Sequence, residues 1–241
     1  MPTSEPADFV PRRFRFVVFD WDGTLADSTA IIADALQQAC RDIGEPVPGD
    51  AEARYVIGLG LADALRHVAP GLPQQRHPDL VARYRFHYLA RDPSIPLVPG
   101  VREMLAELGA AGFALGVATG KSRAGLDRAL AQHGIGGVFA ATRCADEGFS
   151  QPHPRMLLHL MDQVGVGPGE TLMIGDTTHD LELARNAGVA ALAVAYGAHA
   201  PAGLAAERPL ATVHSIPELR TWLRGNACLG TDHCACLGTD H

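Results

Sequence analysis

Asp20 and Asp22 stand one residue apart, directly after the apolar run Phe16-Val17-Val18-Phe19 and directly before Gly23. Two like charges held that close cost energy unless a cation or a reaction uses them. Two later stretches repeat the design of an apolar run ending in small polar residues. Phe113 to Thr119 leads into Gly120-Lys121, and Thr171 to Ile174 leads into Gly175-Asp176-Thr177-Thr178-His179-Asp180. Set side by side, the three ends assemble three or four carboxylates, a hydroxyl and a lysine in one crevice. Clustered hard oxygens suit Mg²⁺, which takes one or two carboxylates and keeps water or phosphate in its other positions. A lone Asp at such a place is usually a helix N-cap, and Asp180 by itself reads that way. Three polar ends at once exceed what capping explains.

The elements that must position these residues follow from the apolar pattern. A short continuous apolar run reads as a buried strand of a parallel sheet covered on both faces. In open α/β sheets, ligands bind at the C-terminal tips of such strands. After the first strand, Ser28 or Thr29 is expected to cap a helix through Ile43, with Gly44 as its stop. Helical pieces follow at Ala51–Ile57 and Leu61–Val68, then a longer helix from Pro78 to Arg91, and no strand is evident between Ala30 and Asp92. From Val101 onward helix and strand alternate, with strands expected at 113–119, 138–143, 171–176, 189–195 and 210–214. The expected fold class is therefore α/β, a doubly wound parallel sheet carrying an inserted all-helical subdomain. The boundaries read as core 14–29 and 97–225, helical cap 30–96, a flexible N-terminal arm 1–13 and a repetitive, disordered tail 226–241.

Composition narrows the function classes. The 241 residues are 47% hydrophobic and 20% charged, with a formal net charge of −7. That length buries a full core. No basic block points to nucleic acid, no apolar run approaches a membrane span, and Met1 to Arg13 lacks a signal-peptide core. A cytoplasmic protein, monomeric or homodimeric, is expected. Five cysteines give no disulfide framework: Cys40 and Cys144 are isolated, and Cys228, Cys234 and Cys236 crowd the tail. There Ala227 to His233 recurs as Ala235 to His241, which reads as a tandem extension without structure rather than a soft-metal site. Lys121 is the only lysine among 20 basic residues, and either chance or a need for a compact ammonium accounts for it.

Asp20-Trp21-Asp22-Gly23-Thr24-Leu25-Ala26-Asp27-Ser28 resembles the first motif of the haloacid dehalogenase superfamily. Val117-Ala118-Thr119-Gly120-Lys121 resembles its second motif, and Ile174 to Asp180 its fourth. The helical insertion is similar to the small cap of the phosphoglycolate phosphatase-like subfamily. The resemblance implies a Rossmann-like core and Mg²⁺-dependent hydrolysis of a small phosphorylated metabolite through an aspartyl-phosphate. It makes Asp20 the nucleophile and Asp22 the general acid and then base. Dehalogenases of the superfamily lack the second Asp, so Asp22 favours phosphoryl transfer. By the same resemblance Asp20, the backbone carbonyl of Asp22 and Asp176 hold the metal, with Asp180 second to them. Thr119 bonds a phosphoryl oxygen. Gly23, Thr24 and Gly120 face the substrate, as does the cap loop of Gly58 and Gly60, with Arg54 and Arg83 also in the insertion. Cap closure would pivot on Ala26–Ala30 and Leu97–Gly100.

The chain departs from the family at the third motif. The family's lysine before a Pro-x-Pro turn falls on Gln151 in Ser150-Gln151-Pro152-His153-Pro154. Losing a buried partner of a carboxylate costs roughly 3–5 kcal/mol, on the order of a hundredfold in rate where the loss falls on the transition state. Lys121 substituting for it, a slow phosphatase and an inactivating change are the three readings. A phosphomutase of the β-phosphoglucomutase type and a non-catalytic phosphate- or partner-binding protein are the alternatives to hydrolysis. His153 reads as a surface or capping residue, and His179 as either site-lining or solvent-exposed.

Overall fold

The computed structural model describes residues 14–227. Its centre is β1 (Phe16–Phe19). Side chains alternate across a strand, and here both faces meet apolar layers. Val17 and Phe19 join the larger buried cluster, while Phe16 and Val18 join a second one with Met156, Leu160 and Met173. On one side β1 pairs in parallel with β2 (Ala114–Thr119), which pairs with β3 (Ala141–Cys144). On the other it pairs with β4 (Thr171–Gly175), followed by β5 (Ala190–Val194) and β6 (Thr212–Val213). The six-stranded order β3-β2-β1-β4-β5-β6 is wholly parallel, and its winding reverses between β1 and β4. A crevice opens beyond the strand tips at such a switch point. Register sets Phe19 beside Val117 and Ile174, so the residues that follow all three strands emerge at one edge.

Four α-helices, two short 3₁₀ turns and no strand occupy the stretch between β1 and the next core helix; the α-helices are α1 (Thr29–Asp42), α2 (Asp50–Tyr55), α3 (Leu61–Val68) and α4 (His77–Leu89). The chain leaves and re-enters the core along one line. Ala26 pairs antiparallel with Leu97, Asp27 N–H donates to Pro96 O (3.0 Å), and Val98 N–H donates to Leu25 O (2.9 Å). The core continues with α5 (Val101–Ala110), α6 (Arg123–His133), α7 (Arg155–Val164), α8 (Thr178–Asn186), α9 (Pro201–Ala206) and α10 (Ile216–Asn226).

Several details differ from the sequence reading. Ser28 occupies the N-cap position of α1 but caps nothing, because its hydroxyl donates to Asp22 Oδ1 (2.7 Å). β3 begins at Ala141 rather than 138, since Gly136–Val138 coil into a 3₁₀ turn. β6 shrinks to two residues, and α9, opened by Pro201, has no counterpart in the reading. Gly44 ends α1 with φ +75°, as expected. The arm 1–13 and the tail cysteines Cys228, Cys234 and Cys236 lie outside the described residues.

Candidate active site

The tip of β1 delivers Asp20, fully buried and anchored by its N–H to Ile174 O (2.9 Å). β4 delivers Asp176, and α8 turns Asp180 back toward it. Oxygens of these three buried carboxylates lie within 4.8 Å of one another. Asp176 is held on both sides: Thr24 Oγ1 donates to Oδ1 (2.7 Å) and Ala198 N–H to Oδ2 (2.7 Å). Asp180 Oδ2 accepts from Thr177 N–H (3.0 Å) and Thr177 Oγ1 (2.7 Å), leaving Oδ1 without a partner. Both oxygens of Asp20 are buried and have no hydrogen-bond partner among the described residues.

Burial drives the electrostatics. Desolvation and the neighbouring charges of Asp180, Asp176 and Asp22 push the Asp20 carboxyl well above its ordinary range. Desolvation with Asp180 beside it pushes Asp176 up to about 8, and desolvation pushes Asp180 up to about 6. Unpartnered buried oxygens of this kind need a cation to offset their desolvation. The donors are all hard carboxylate oxygens, so the set fits Mg²⁺.

Asp22 faces elsewhere. Its carboxylate accepts from Lys121 Nζ at 2.9 and 3.1 Å as well as from Ser28, so the side chain lies outside the three-carboxylate cluster. Lys121 also bonds Tyr88 Oη of α4 (2.7 Å), which ties an inserted helix to the core. Burial pulls the Lys121 ammonium down, but the adjoining Asp22 carboxylate more than offsets this and its pKa is raised. A substitute role for Lys121 at Asp20 does not hold in this arrangement, because Nζ is committed to Asp22 and Tyr88 while Asp20 has no partner.

Gln151 is buried, its Nε2 donating to Ala118 O (3.3 Å) and its Oε1 unpartnered. Thr119 is buried at the tip of β2, its hydroxyl accepting from Lys121 N–H (3.2 Å). Thr24 and Gly23 back the Asp176 carboxylate: the hydroxyl of Thr24 bonds it, and a Cβ at Gly23 would collide with it. Gly58, Gly60 and Gly120 line a cavity between the inserted helices and the core, together with Asp22 and Lys121. Arg54 is instead engaged by Asp50 and Thr29, and Arg83 by Asp42, so neither lines that cavity. His153 accepts from Arg155 N–H at the start of α7 and stacks on Phe149.

His179 is buried, and with His199 it grips the inserted helices. Both imidazoles place Nε2 on Tyr55 O, at 2.7 and 3.0 Å, and His199 stacks on the Tyr55 ring. His199 Nδ1 accepts from Thr178 N–H (3.1 Å), so its proton sits on Nε2 and is donated to Tyr55. Sequence reasoning missed Tyr55, Tyr88, His199 and Gly197, where a Cβ would collide with the Asp176 carboxylate. Only the fold brings the loop after β5 across the tip of β4, and no local spacing announces it.

Comparison with known proteins places the chain in a family context. The family model for haloacid dehalogenase-like hydrolases matches residues 17–194. A probable phosphatase, IndB, of Dickeya dadantii is 35% identical over 209 residues, covering 84% of this chain and 90% of the relative. A phosphoglycolate phosphatase of Vibrio vulnificus is 32% identical, covering 86% of this chain and 95% of its own. The fold alone is shared with a hydrolase from Pseudomonas syringae at TM-score 0.81 and 20% identity, over 90% of this chain and 100% of that one.

Proposed function

The chain belongs to the haloacid dehalogenase-like hydrolase family, and from that membership we propose that it hydrolyses phosphate monoesters through an aspartyl-phosphate on Asp20. The observation that carries this reading is the unpartnered Asp20 carboxylate inside a cage of buried acids at the strand tips. A carboxylate kept free of hydrogen bonds keeps its lone pairs for attack. The names of the Dickeya and Vibrio relatives support phosphatase chemistry.

An Asp20 oxygen forms the bond to phosphorus as the bond to the alcohol oxygen breaks. Asp22, carrying the proton that it takes from water in the second step of the preceding turnover, gives it to the departing alkoxide. In the second step the Asp22 carboxylate takes a proton from water, the water oxygen bonds phosphorus, and Asp20 leaves with its electron pair as inorganic phosphate departs. Lys121 and Ser28 fix the direction of the Asp22 carboxylate. Thr119, at the tip of β2, would donate its hydroxyl to a phosphoryl oxygen. Asp20, Asp176 and Asp180 would hold Mg²⁺, which when bound offsets the repulsion between these acids and a phosphate dianion. Gln151 brings no positive charge to that balance, and the expected consequence is a slow enzyme.

The test is release of inorganic phosphate from a generic aryl phosphate with and without Mg²⁺. Turnover is expected only with the metal, and Asp20→Asn should lower it by roughly a thousandfold or more. Turnover surviving in Asp20→Asn would remove Asp20 as the nucleophile.

A further inference from the structure

The cavity beside Asp22 encloses about 740 Å³ between the inserted helices and the core. Water occupies about 30 Å³ per molecule, so roughly 25 waters fill such a space. The five heavy atoms of a glycolate unit would displace only a few of them. Sites of this size hold ligands with many more atoms and are mostly apolar with a few placed polar groups.

The walls answer that description. Ile32 and Leu36 of α1 form one side, Val56 and Ile57 another, with Leu59 and Leu61 beyond them. Tyr84 and Tyr88, one turn apart on α4, stack at 5.7 Å and 21° and give the cavity an aromatic wall. Most of the charged lining is already engaged, with Asp146 accepting from Arg123 N–H. Lys121 is held by Asp22, Arg128 by Asp92, and Asp63 by Arg66 and Ser150. Arg85 stands exposed at the mouth. For a short carboxylated alcohol, the lining cations among the described residues are Lys121 and Arg128, both held by carboxylates, and the exposed Arg85.

We propose that this cavity selects phosphate monoesters whose alcohol carries an aromatic ring or a similarly bulky apolar body, in preference to a short carboxylated alcohol such as glycolate. The proposal rests on the phosphatase reading and adds its substrate class. The phosphoryl group sits at the strand tips, the ester oxygen at Asp22, and the body of the alcohol against Tyr84 and Val81. Desolvating a ring there is favourable, because the lining around Tyr84 and Val81 is mostly apolar.

The experiment compares 3-phenylpropyl phosphate, propyl phosphate and 2-phosphoglycolate as substrates of the full chain with Mg²⁺. Calorimetric binding of the two inert mimics, 3-phenylpropylphosphonate and propylphosphonate, runs in parallel. The first two esters have similar leaving groups, so their ratio reads the cavity and not the chemistry. A kcat/KM at least about tenfold higher for the phenylpropyl ester is expected, with the phenylpropylphosphonate binding tighter by a similar factor. Tyr84→Ala should reduce that ratio about threefold or more. Mg²⁺-dependent turnover that is equal for the two alkyl esters, or best for 2-phosphoglycolate, overturns the cavity inference and leaves the phosphatase reading standing. No turnover of any ester with tight, selective phosphonate binding does the reverse. A ratio unchanged by Tyr84→Ala in a folded variant also overturns the inference.

Discussion

At the scale of residues, the site is decided by which buried charges have partners. Asp22 has Lys121 and Ser28, while Asp20 has none. Gln151 offers the site only an uncharged amide, whose oxygen has no partner among the described residues. Gln151→Lys should therefore raise kcat, on the order of tenfold to a hundredfold, measured as phosphate release beside the wild type; an unchanged or lower rate would show that the amide is not what limits turnover. Lys121→Met, by contrast, leaves Asp22 nearly buried with only a hydroxyl. It should cost roughly 3–5 kcal/mol of stability in denaturant titration, and most of the activity. The raised acids also make a pH prediction. Asp176 at about 8 and Asp180 at about 6 bind protons more tightly folded than unfolded. The stability this gives the metal-free protein is full below the ordinary carboxylate range and is lost as pH rises through about 6 and then about 8. Mg²⁺ needs the deprotonated ligands, so its stabilising effect grows over the same window. Burial lowers the half-buried His199 to about 4 and lowers His179 as well, and neither belongs to the three-carboxylate cluster. The difference in Tm between Mg²⁺ and EDTA should thus widen from pH 5 to pH 8, and a flat difference would exclude these acids as the metal ligands.

At the scale of elements, the inserted loop between α2 and α3 presses on the core. A Cβ at Gly120 would run into the carbonyl oxygens of Gly58 and Leu59, which are backbone atoms and yield only if the whole loop moves. Gly120→Ala should lift that loop, raising KM more than it lowers kcat and costing about 1–3 kcal/mol of stability; unchanged steady-state constants would show that the loop need not rest there. The elements themselves are largely legible in the sequence. β1, β2 and β4 announce themselves by apolar runs buried on both faces, and the polar residues that end those runs mark the crevice by their spacing alone. α9 and the start of β3 are not legible, because short pieces such as Pro201–Ala206 are settled by what they pack on. The same limit hides the supports of the site. Asp20, Asp22, Asp176 and Gln151 lie in contiguous motifs, whereas Ala198 N–H on Asp176 and Tyr88 on Lys121 join residues 22 and 33 positions apart. Ser28 reads as a cap because its preference for that position is real, but a carboxylate six residues back competes for the same hydroxyl and wins it.

At the scale of the whole molecule, the inserted helices and the core are joined in two unlike ways. One is the paired crossing at Ala26 and Leu97, beside which a continuous buried cluster runs from Val17 and Phe19 through Leu36 to Tyr88. The other is polar: Lys121 holds Tyr88, Ser150 holds Asp63, and His179 and His199 on the core side both reach the single carbonyl of Tyr55. The shared apolar cluster resists wide separation, so opening should be a small movement that pivots at the crossing and parts the polar contacts first. Each neutral hydrogen bond of this kind contributes about 0.5–1.5 kcal/mol, so losing one shifts a local opening equilibrium up to about tenfold. His199→Ala keeps the backbone and removes one of the two grips, along with the ring stacked on Tyr55. Amide exchange across Tyr55 to Leu59 should then quicken by about threefold to tenfold, while β1 and β4 exchange as in the wild type. Mg²⁺ with orthovanadate, a phosphate mimic, should slow the loop again in the variant, since a filled site gives it a second surface to close on. Uniform quickening across the sheet would mean that His199 supports the fold at large, and no quickening at all would mean that the remaining contacts hold the inserted helices down without it.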